Sequence, residues 1–470
     1  VNLQFRRHRH ASTSAIADRP ATRWLVLAFL SLLQLLIAVD VTVVNVALPS
    51  IGTAFGADAG ALTWVVTGYT VVGGGLLLLG GRLCDLLGRR RMFLLGAAVF
   101  GGASLLAGLA TDLPTLVAAR FAQGAGEALA SPAAMSLIAL MFPRPDERAK
   151  ALGVWGAISS SGLAVGVVLS GVITELLDWR WIFLINPPLV LLVLVATPLL
   201  LPRDTAAARV PLDVPGALLL TLAPLALVFG VVRAAHAPWG DPTVFGPLLF
   251  AAAAFAAFVA VEARSAAPLV PLGFFAHRTR LVANAATILL SAALSTTFFL
   301  VSLYLQQVID LTPLRAGLAF LPFCAALLLA VTQVARLIRL LGMKHTAIAG
   351  LLCTAAGLAW LARLPADGDL WIDVIPAMIA IAVGMAVGLI ALQNAALEGV
   401  TDTDAGTAAG VQRSVDQLGG AVGLSVLVGA AVAAGDAAQG FRLAFALALG
   451  GVLVAALGVA LAARSEPRER

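Results

Sequence analysis

Asp40 lies in the run Asp40-Val-Thr42-Val-Val-Asn45-Val-Ala47-Leu48-Pro49, inside an apolar stretch long enough to cross a bilayer. A carboxylate at that depth is costly unless it faces a cavity or a partner. A second apolar stretch carries Arg120, Gln123 and Glu127 at i, i+3 and i+7, which a helix sets on one face. At the α-helical rise Asp40 falls about 12 Å and Arg120 about 9 Å from the outer ends of their spans, so opposite charges share a depth. Two roles fit these residue types. A carboxylate that gains and loses a proton near an arginine is a proton relay; one locked to that arginine is an ion pair tying two spans together. As an exchanger, Asp40 would hold a cation, a proton or both, and Arg120 nearby would keep it charged. Movement of the arginine, or arrival of a proton, would neutralise Asp40 and release the cation. Glu127, two turns deeper, is the alternative proton carrier. Exchange follows because two ligands competing for one carboxylate each disfavour the other.

The elements that position these groups are membrane helices. Of 470 residues, 60% are hydrophobic and 12% charged, against about 25% charged in a soluble chain. Apolar runs of bilayer length fall at roughly 24–48, 61–81, 92–110, 114–141, 150–173, 180–201, 212–233, 243–262, 281–307, 314–338, 345–363, 371–396, 406–434 and 439–463, which predicts an all-α membrane protein of fourteen spans. The first run is too long for a cleavable leader and carries Asp40, so it is expected to remain as a span. Residues 1–23 and 464–470 read as polar tails.

Basic residues alternate along the chain. Arg89–Arg91, then Arg144, Arg148 and Lys150, then Arg203 and Arg209, Arg264, Arg278 and Arg280, Arg336, Arg339 and Lys344, and the terminal arginines mark one face. The opposite turns hold one base each at most, and the turn after span 12 is acidic. Bases gather on the cytoplasmic side, so both termini are expected there, in the cytoplasmic membrane. Positions 58, 112 and 240 should face out, and 89, 146, 205 and 344 in. The net charge of +5 therefore sits between spans and is no sign of nucleic acid. Cys84, Cys324 and Cys353 form no readable disulfide framework.

The stretch Gly81-Arg-Leu83-Cys-Asp85-Leu-Leu-Gly88-Arg89-Arg90-Arg91 follows span 2. Its arginines pin the turn to the cytoplasmic face, and its glycines let helix ends approach and turn. Ala335 to Lys344, after span 10, reads ARLIRLLGMK against GRLCDLLGRR. That repeat predicts two six-span halves, 24–201 and 266–463, with two inserted helices in 202–265. Parallel halves of this kind are a transporter architecture with the site between them.

These stretches also resemble a known family. Gly81, Leu83, Asp85, Gly88, Arg89 and Arg90 resemble the loop signature of the major facilitator superfamily, with Leu86 where a base is usual. The Asp40 run, at Asp40, Thr42, Asn45, Ala47, Leu48 and Pro49, resembles the first-span signature of its fourteen-span drug:proton antiporters, the QacA and EmrB type. Leu116-x-x-x-Arg120-x-x-Gln123-Gly-Ala-Gly126-Glu127 resembles their fourth-span motif, whose arginine is associated with proton transfer. The resemblance implies the major facilitator fold and proton-coupled efflux of hydrophobic, often cationic, small molecules. It places Asp85 beside the start of span 13, near Asp404 to Thr407, when the cytoplasmic side is closed. Gly153, Gly162, Gly166 and Gly171 resemble the span-5 antiporter motif, but Val167 replaces its Pro and Ser170 one Gly. Close helix packing explains such glycines without any antiport. Asp178-Trp-Arg180-Trp and Asn186-Pro187 resemble the same family and suggest an aromatic anchor at the interface.

In the second half, Tyr304, Gln306 and Gln307 on span 9 and Gln393 and Asn394 on span 12, spans that the repeat matches to 1 and 4, are candidates with Asn45 to line a shared cavity or to bond at the interface. Arg413 and Asp416, at i, i+3, suit a local ion pair or a transport role. No Gly-Lys-Ser/Thr phosphate loop and no HExxH occurs, so no ATP, metal or cofactor is expected, and the proton gradient is the driving force. The partners expected are lipid, protons and a small-molecule substrate, and a monomer is compatible with this. The competing readings are a dedicated exporter of one metabolite or antibiotic, a membrane-embedded enzyme such as a lipid transferase, and a sensor that no longer transports.

Overall fold

The computed structural model describes residues 20–201, 213–234, 237–238, 240–265, 267–365, 368–400 and 405–462. Within them the chain is helical, with no strand. The helices are α1 (Pro20–Phe55), α2 (Ala59–Leu87), α3 (Arg89–Gly108), α4 (Leu113–Met141), α5 (Pro145–Leu176), α6 (Trp181–Leu200), α7 (Val214–Ala234), α8 (Pro242–Arg264), α9 (Arg278–Gln307), α10 (Pro313–Leu341), α11 (Met343–Leu361), α12 (Leu370–Ala396), α13 (Ala405–Ala433) and α14 (Ala437–Ala462). Thirteen are long and apolar enough to cross a membrane. The other is α11, whose first turn carries Lys344 and His345. It packs antiparallel along α12: Gly350 meets Gly388, and Gly357 meets Ala377 and Ile381. The expected segment 202–212, the tail beyond 463 and most of the tail 1–23 lie outside the described residues. The boundary at 23 moves, because helix begins at Pro20 and Arg23 pairs with Glu147 on α5 at 3.3 Å.

The helix ends explain the charge alternation. Every even-numbered helix starts opposite the Arg89–Arg91 turn, and there the chain uses oxygen side chains as caps. Asp58 accepts from Ala61 N, Asp112 from Thr115 N, Asp241 from Thr243 N, Thr312 from Arg315 N, Asp369 from Trp371 N and Asp436 from Gln439 N. Asp178 accepts from Arg180 N just before α6. Such caps satisfy free N–H groups and complement the helix dipole. The Thr115 N–H holds the Asp112 carboxyl below its usual range. On the Arg89 face the starts at Gly88, Arg144, His277 and Gly342 lack a side-chain cap.

The two related turns fold alike. Gly88 has φ 101° and Gly342 has φ 79°, a region that side chains resist, and each joins two helices directly. Gly81 makes no such approach, since a Cβ there would stand 4.0 Å from Pro132. Gly80 does: its Cβ would collide with the Ala128 carbonyl, so α2 and α4 touch backbone to backbone. Gly80→Val should abolish accumulation of folded protein, while Gly102→Ala, with nothing within 4 Å, should leave thermal stability unchanged in detergent.

The α1–α6 and α9–α14 sets meet chiefly where α2 packs on α13, α5 on the start of α10, and α1 on α9. Helices α7 and α8 pair with each other, and α7 lies against both α2 and α13. At the face opposite the arginines the sets are latched. Ser302 Oγ donates to Asn45 O at 2.7 Å, Gln306 Nε2 to Val46 O at 2.9 Å, and Leu314 N to Glu175 Oε2 at 2.9 Å. Gly171 and Gly317 let α5 and α10 close there. Toward the basic face Gly153, Gly156 and Gly406 look into open space.

Candidate functional site

Asp40 and Arg120 form a buried ion pair between α1 and α4, each 1% exposed. Gln123 accepts from Arg120 Nη1 at 2.8 Å and donates to Asp40 Oδ1 at 3.0 Å. Arg120 Nε donates to Val65 O at 2.8 Å, and its guanidinium lies 4.4 Å from the centre of the Tyr69 ring. Asn186 donates to Asp40 Oδ1 at 3.2 Å, and Ser104 accepts from both Gln123 and Asn186. The charge is thus compensated by two amide donors and a fixed cation, as a buried ion requires. All these partners sit on α1, α2, α3, α4 and α6, so the cluster lies wholly within the α1–α6 set.

Glu127 makes a different contact. It is also 1% exposed and lies beside Tyr69 of α2, yet its amide donor and its cation come from α13. Gln417 Nε2 donates to Oε1 at 2.9 Å, and Arg413 Nη2 stands 3.7 Å away. The Arg413 side chain is half-exposed. Glu127 Oε2 is buried without a hydrogen-bond partner. Gly73 and Gly74 on α2 make room for Gln417. Tyr69 lies between the clusters, within electrostatic reach of both carboxylates.

Several expectations are corrected. Arg413 and Asp416 form no local pair: Arg413 points at Glu127, and Asp416 accepts from Ser291 Oγ on α9. A spacing of three residues allowed the local pair, but the tertiary partners are closer. Tyr304 is no cavity group; it is 1% exposed and donates to Pro365 O at 2.7 Å. The Asn45 side chain bonds back to Val41 O, and Gln306 belongs to the latch. Gln307 is exposed at the end of α9. Gln393 and Asn394 end α12 at the opposite, basic face, with Asn394 bonded to Ile390 O. These groups therefore share no cavity. Gly162 and Gly166 pack on Ala38 and Thr42 of α1, and Gly171 on Pro313 and Leu314, whereas Gly153 touches nothing. Asp85 pairs with Arg89 at 3.7 Å, one turn on and half-exposed; Asp404 lies outside the described residues. Arg90 donates to Pro198 O. Trp179 is no lipid-facing anchor: it is buried against Phe55 and Phe183 with Arg180 stacked on it, and Trp181 takes the exposed place.

The sequence reading missed Tyr69, Ser104, Ser291 and Gln417, and placed Asn186 only in an interfacial motif. Asn186 had a signal, an amide beside Pro187 where α6 breaks at Ile185.

Residues 30–424 match the Major Facilitator Superfamily, and the chain belongs to that family. It is a multi-pass membrane transporter, not an enzyme. It is 56% identical over 406 residues to the lincomycin resistance protein of Streptomyces lincolnensis, covering 86% of this chain and 84% of that one. It is 41% identical over 403 residues to the puromycin resistance protein of Streptomyces alboniger, covering 85% and 80%. With the cephamycin export protein of Amycolatopsis lactamdurans it shares 36% over 417 residues, covering 88% and 86%. Among solved structures the inward-open xylose transporter XylE from E. coli has TM-score 0.63 at 17% identity, covering 95% of this chain and 98% of that one. An auto-inhibited peptide transporter has TM-score 0.67 at 15% identity, with the same coverage.

Proposed function

We propose that this transporter exports antibiotics across the cytoplasmic membrane in exchange for protons, with fourteen membrane-crossing helices, 214–264 as an insert between six-helix halves, and both termini in the cytoplasm. The observation that carries the coupling is Glu127, a buried mid-span carboxylate held by groups of the other half. A conformational change can be driven only by interactions that differ between the two states. The bonds of Glu127 to Arg413 and Gln417 must alter when the halves rock, whereas the Asp40–Arg120 cluster is carried along unchanged. Glu127 therefore takes the proton, and Asp40 and Arg120 fix the frame that holds it. With the far side latched, a cationic drug enters from the basic side, which is cytoplasmic by its charge, and competes for Glu127 with the proton. After rocking, a proton from outside neutralises Glu127 and displaces the cation.

Everted membrane vesicles carrying the protein, given a proton gradient and a fluorescent hydrophobic cation, test this reading. Uptake should follow the gradient and collapse with a protonophore; uptake indifferent to the protonophore refutes exchange. The relatives are each named for one compound, which favours a narrow range, and lincomycin is the first antibiotic to try. The latch also yields an expectation. Gln306→Ala removes one interhelical bond worth about 1 kcal/mol. Labelling of Ala47→Cys by an impermeant reagent from outside should then rise about fivefold.

A further inference from the structure

Asp213 and Glu262 belong to neither cluster; they lie at the base of the α7–α8 hairpin and break the pattern of helix starts. Asp213 caps α7 on the basic face, accepting from Gly216 N at 2.8 Å, but it is 6% exposed where the other aspartate caps are open. Glu262, 3% exposed near the end of α8, accepts from Val270 N at 3.1 Å through Oε2. The remaining oxygens, Asp213 Oδ2 and Glu262 Oε1, are buried with no hydrogen-bond partner. The two carboxyl groups converge on Gly216: a Cβ there would stand 2.8 Å from Glu262 Oε1 and 3.0 Å from Asp213 Oδ1. Around them pack Leu78, Ala217, Phe258, Leu269, Val270 and Val411.

The cations on the surrounding elements are engaged elsewhere or exposed. Arg82 on α2 donates to Pro268 O at 3.4 Å, Arg280 on α9 donates to Glu398 O at 2.8 Å, and Arg264 on α8 faces out. The α13 side contributes Val411 and Gln412, and Gln412 donates to Thr287 Oγ1. No described ion pair involves either acid. Two charged carboxylates side by side in such surroundings repel strongly, and one proton held between them removes a charge and supplies a missing donor. We propose that Asp213 and Glu262 form a second proton-binding site, sharing a single proton at neutral pH, separate from Glu127 and built on the inserted hairpin. The proton ties the base of the hairpin to the 267–270 segment, beside the junction of α2 and α13.

The sign of its pH dependence follows from linkage. The folded protein holds one proton that the unfolded chain releases above the ordinary carboxylate range. The stability it lends is complete below that range, declines as pH rises, and is gone once the pair deprotonates. The test uses the full chain in lipid nanodiscs at about pH 7.5. Infrared spectra of wild type should contain a protonated-carboxyl band that is absent from Glu262→Gln and also from Asp213→Asn. Raising the pH should destabilise wild type relative to Glu262→Gln, with the ratio of their unfolding equilibria changing about tenfold per pH unit until the pair deprotonates. An equal carboxyl band in wild type and both variants overturns the proposal. So does recovery of alkaline stability on adding sodium or potassium, which would make this a metal-cation site.

Discussion

Glu127→Gln is expected to reduce pH-driven efflux to the level of vesicles without the transporter, while the protein still folds and still exchanges substrate for substrate. Glutamine keeps the size of the side chain and can still meet Gln417 at the 2.9 Å position. It removes the charge that faces Arg413 and the carboxylate that can take up a proton at this contact. The halves can still rock, but the proton gradient no longer biases them, because a ligand shifts an equilibrium only by its differential affinity for the two states. Vesicle uptake against counterflow separates the two effects. A variant that lost both would show that Glu127 holds the fold rather than the proton.

Arg120→Leu should strongly destabilise the α1–α6 set. It strands Asp40, 1% exposed, with only the amides of Gln123 and Asn186. Breaking a buried pair from one side costs about 3–5 kcal/mol. It also empties the face of Tyr69 and frees Val65 O. Asp40→Asn alone should be milder, since its carboxamide oxygen still accepts from Arg120. The double change Asp40→Leu with Arg120→Leu should regain much of the loss, because no uncompensated charge remains. Thermal midpoints in detergent compare the three. If the double variant were no better than Arg120→Leu, packing rather than charge would be what the pair supplies.

The sequence carried the helices almost intact, because a bilayer imposes length and polarity on every span. The helices overrun the predicted runs at their ends, as α1 does to Phe55 past Pro49 and α5 does back to Pro145. Their terminal turns are polar, so hydrophobicity does not mark them. The Asp40–Arg120 pairing was legible from depth and opposite charge. Its shell was not: Ser104 and Asn186 reach Asp40 and Gln123 from α3 and α6, and no periodicity in one helix reveals which face meets another. Arg413 shows the same limit from the other side. Its spacing to Asp416 favoured a local pair, yet α13 turns Arg413 to Glu127 in the first half and Asp416 to Ser291 on α9. That arrangement moved the proposed proton carrier from Asp40 to Glu127. Which set of helices supplies each carboxylate's partners is visible only in the packed structure.

The most direct test is proton release on substrate binding, followed in weakly buffered solution with purified protein. Addition of a transported cation should release protons from wild type and, in undiminished amount, from folded Asp40→Asn, and none from Glu127→Gln. Release that persists in Glu127→Gln and vanishes in Asp40→Asn would contradict this assignment and return the proton to the Asp40–Arg120 pair.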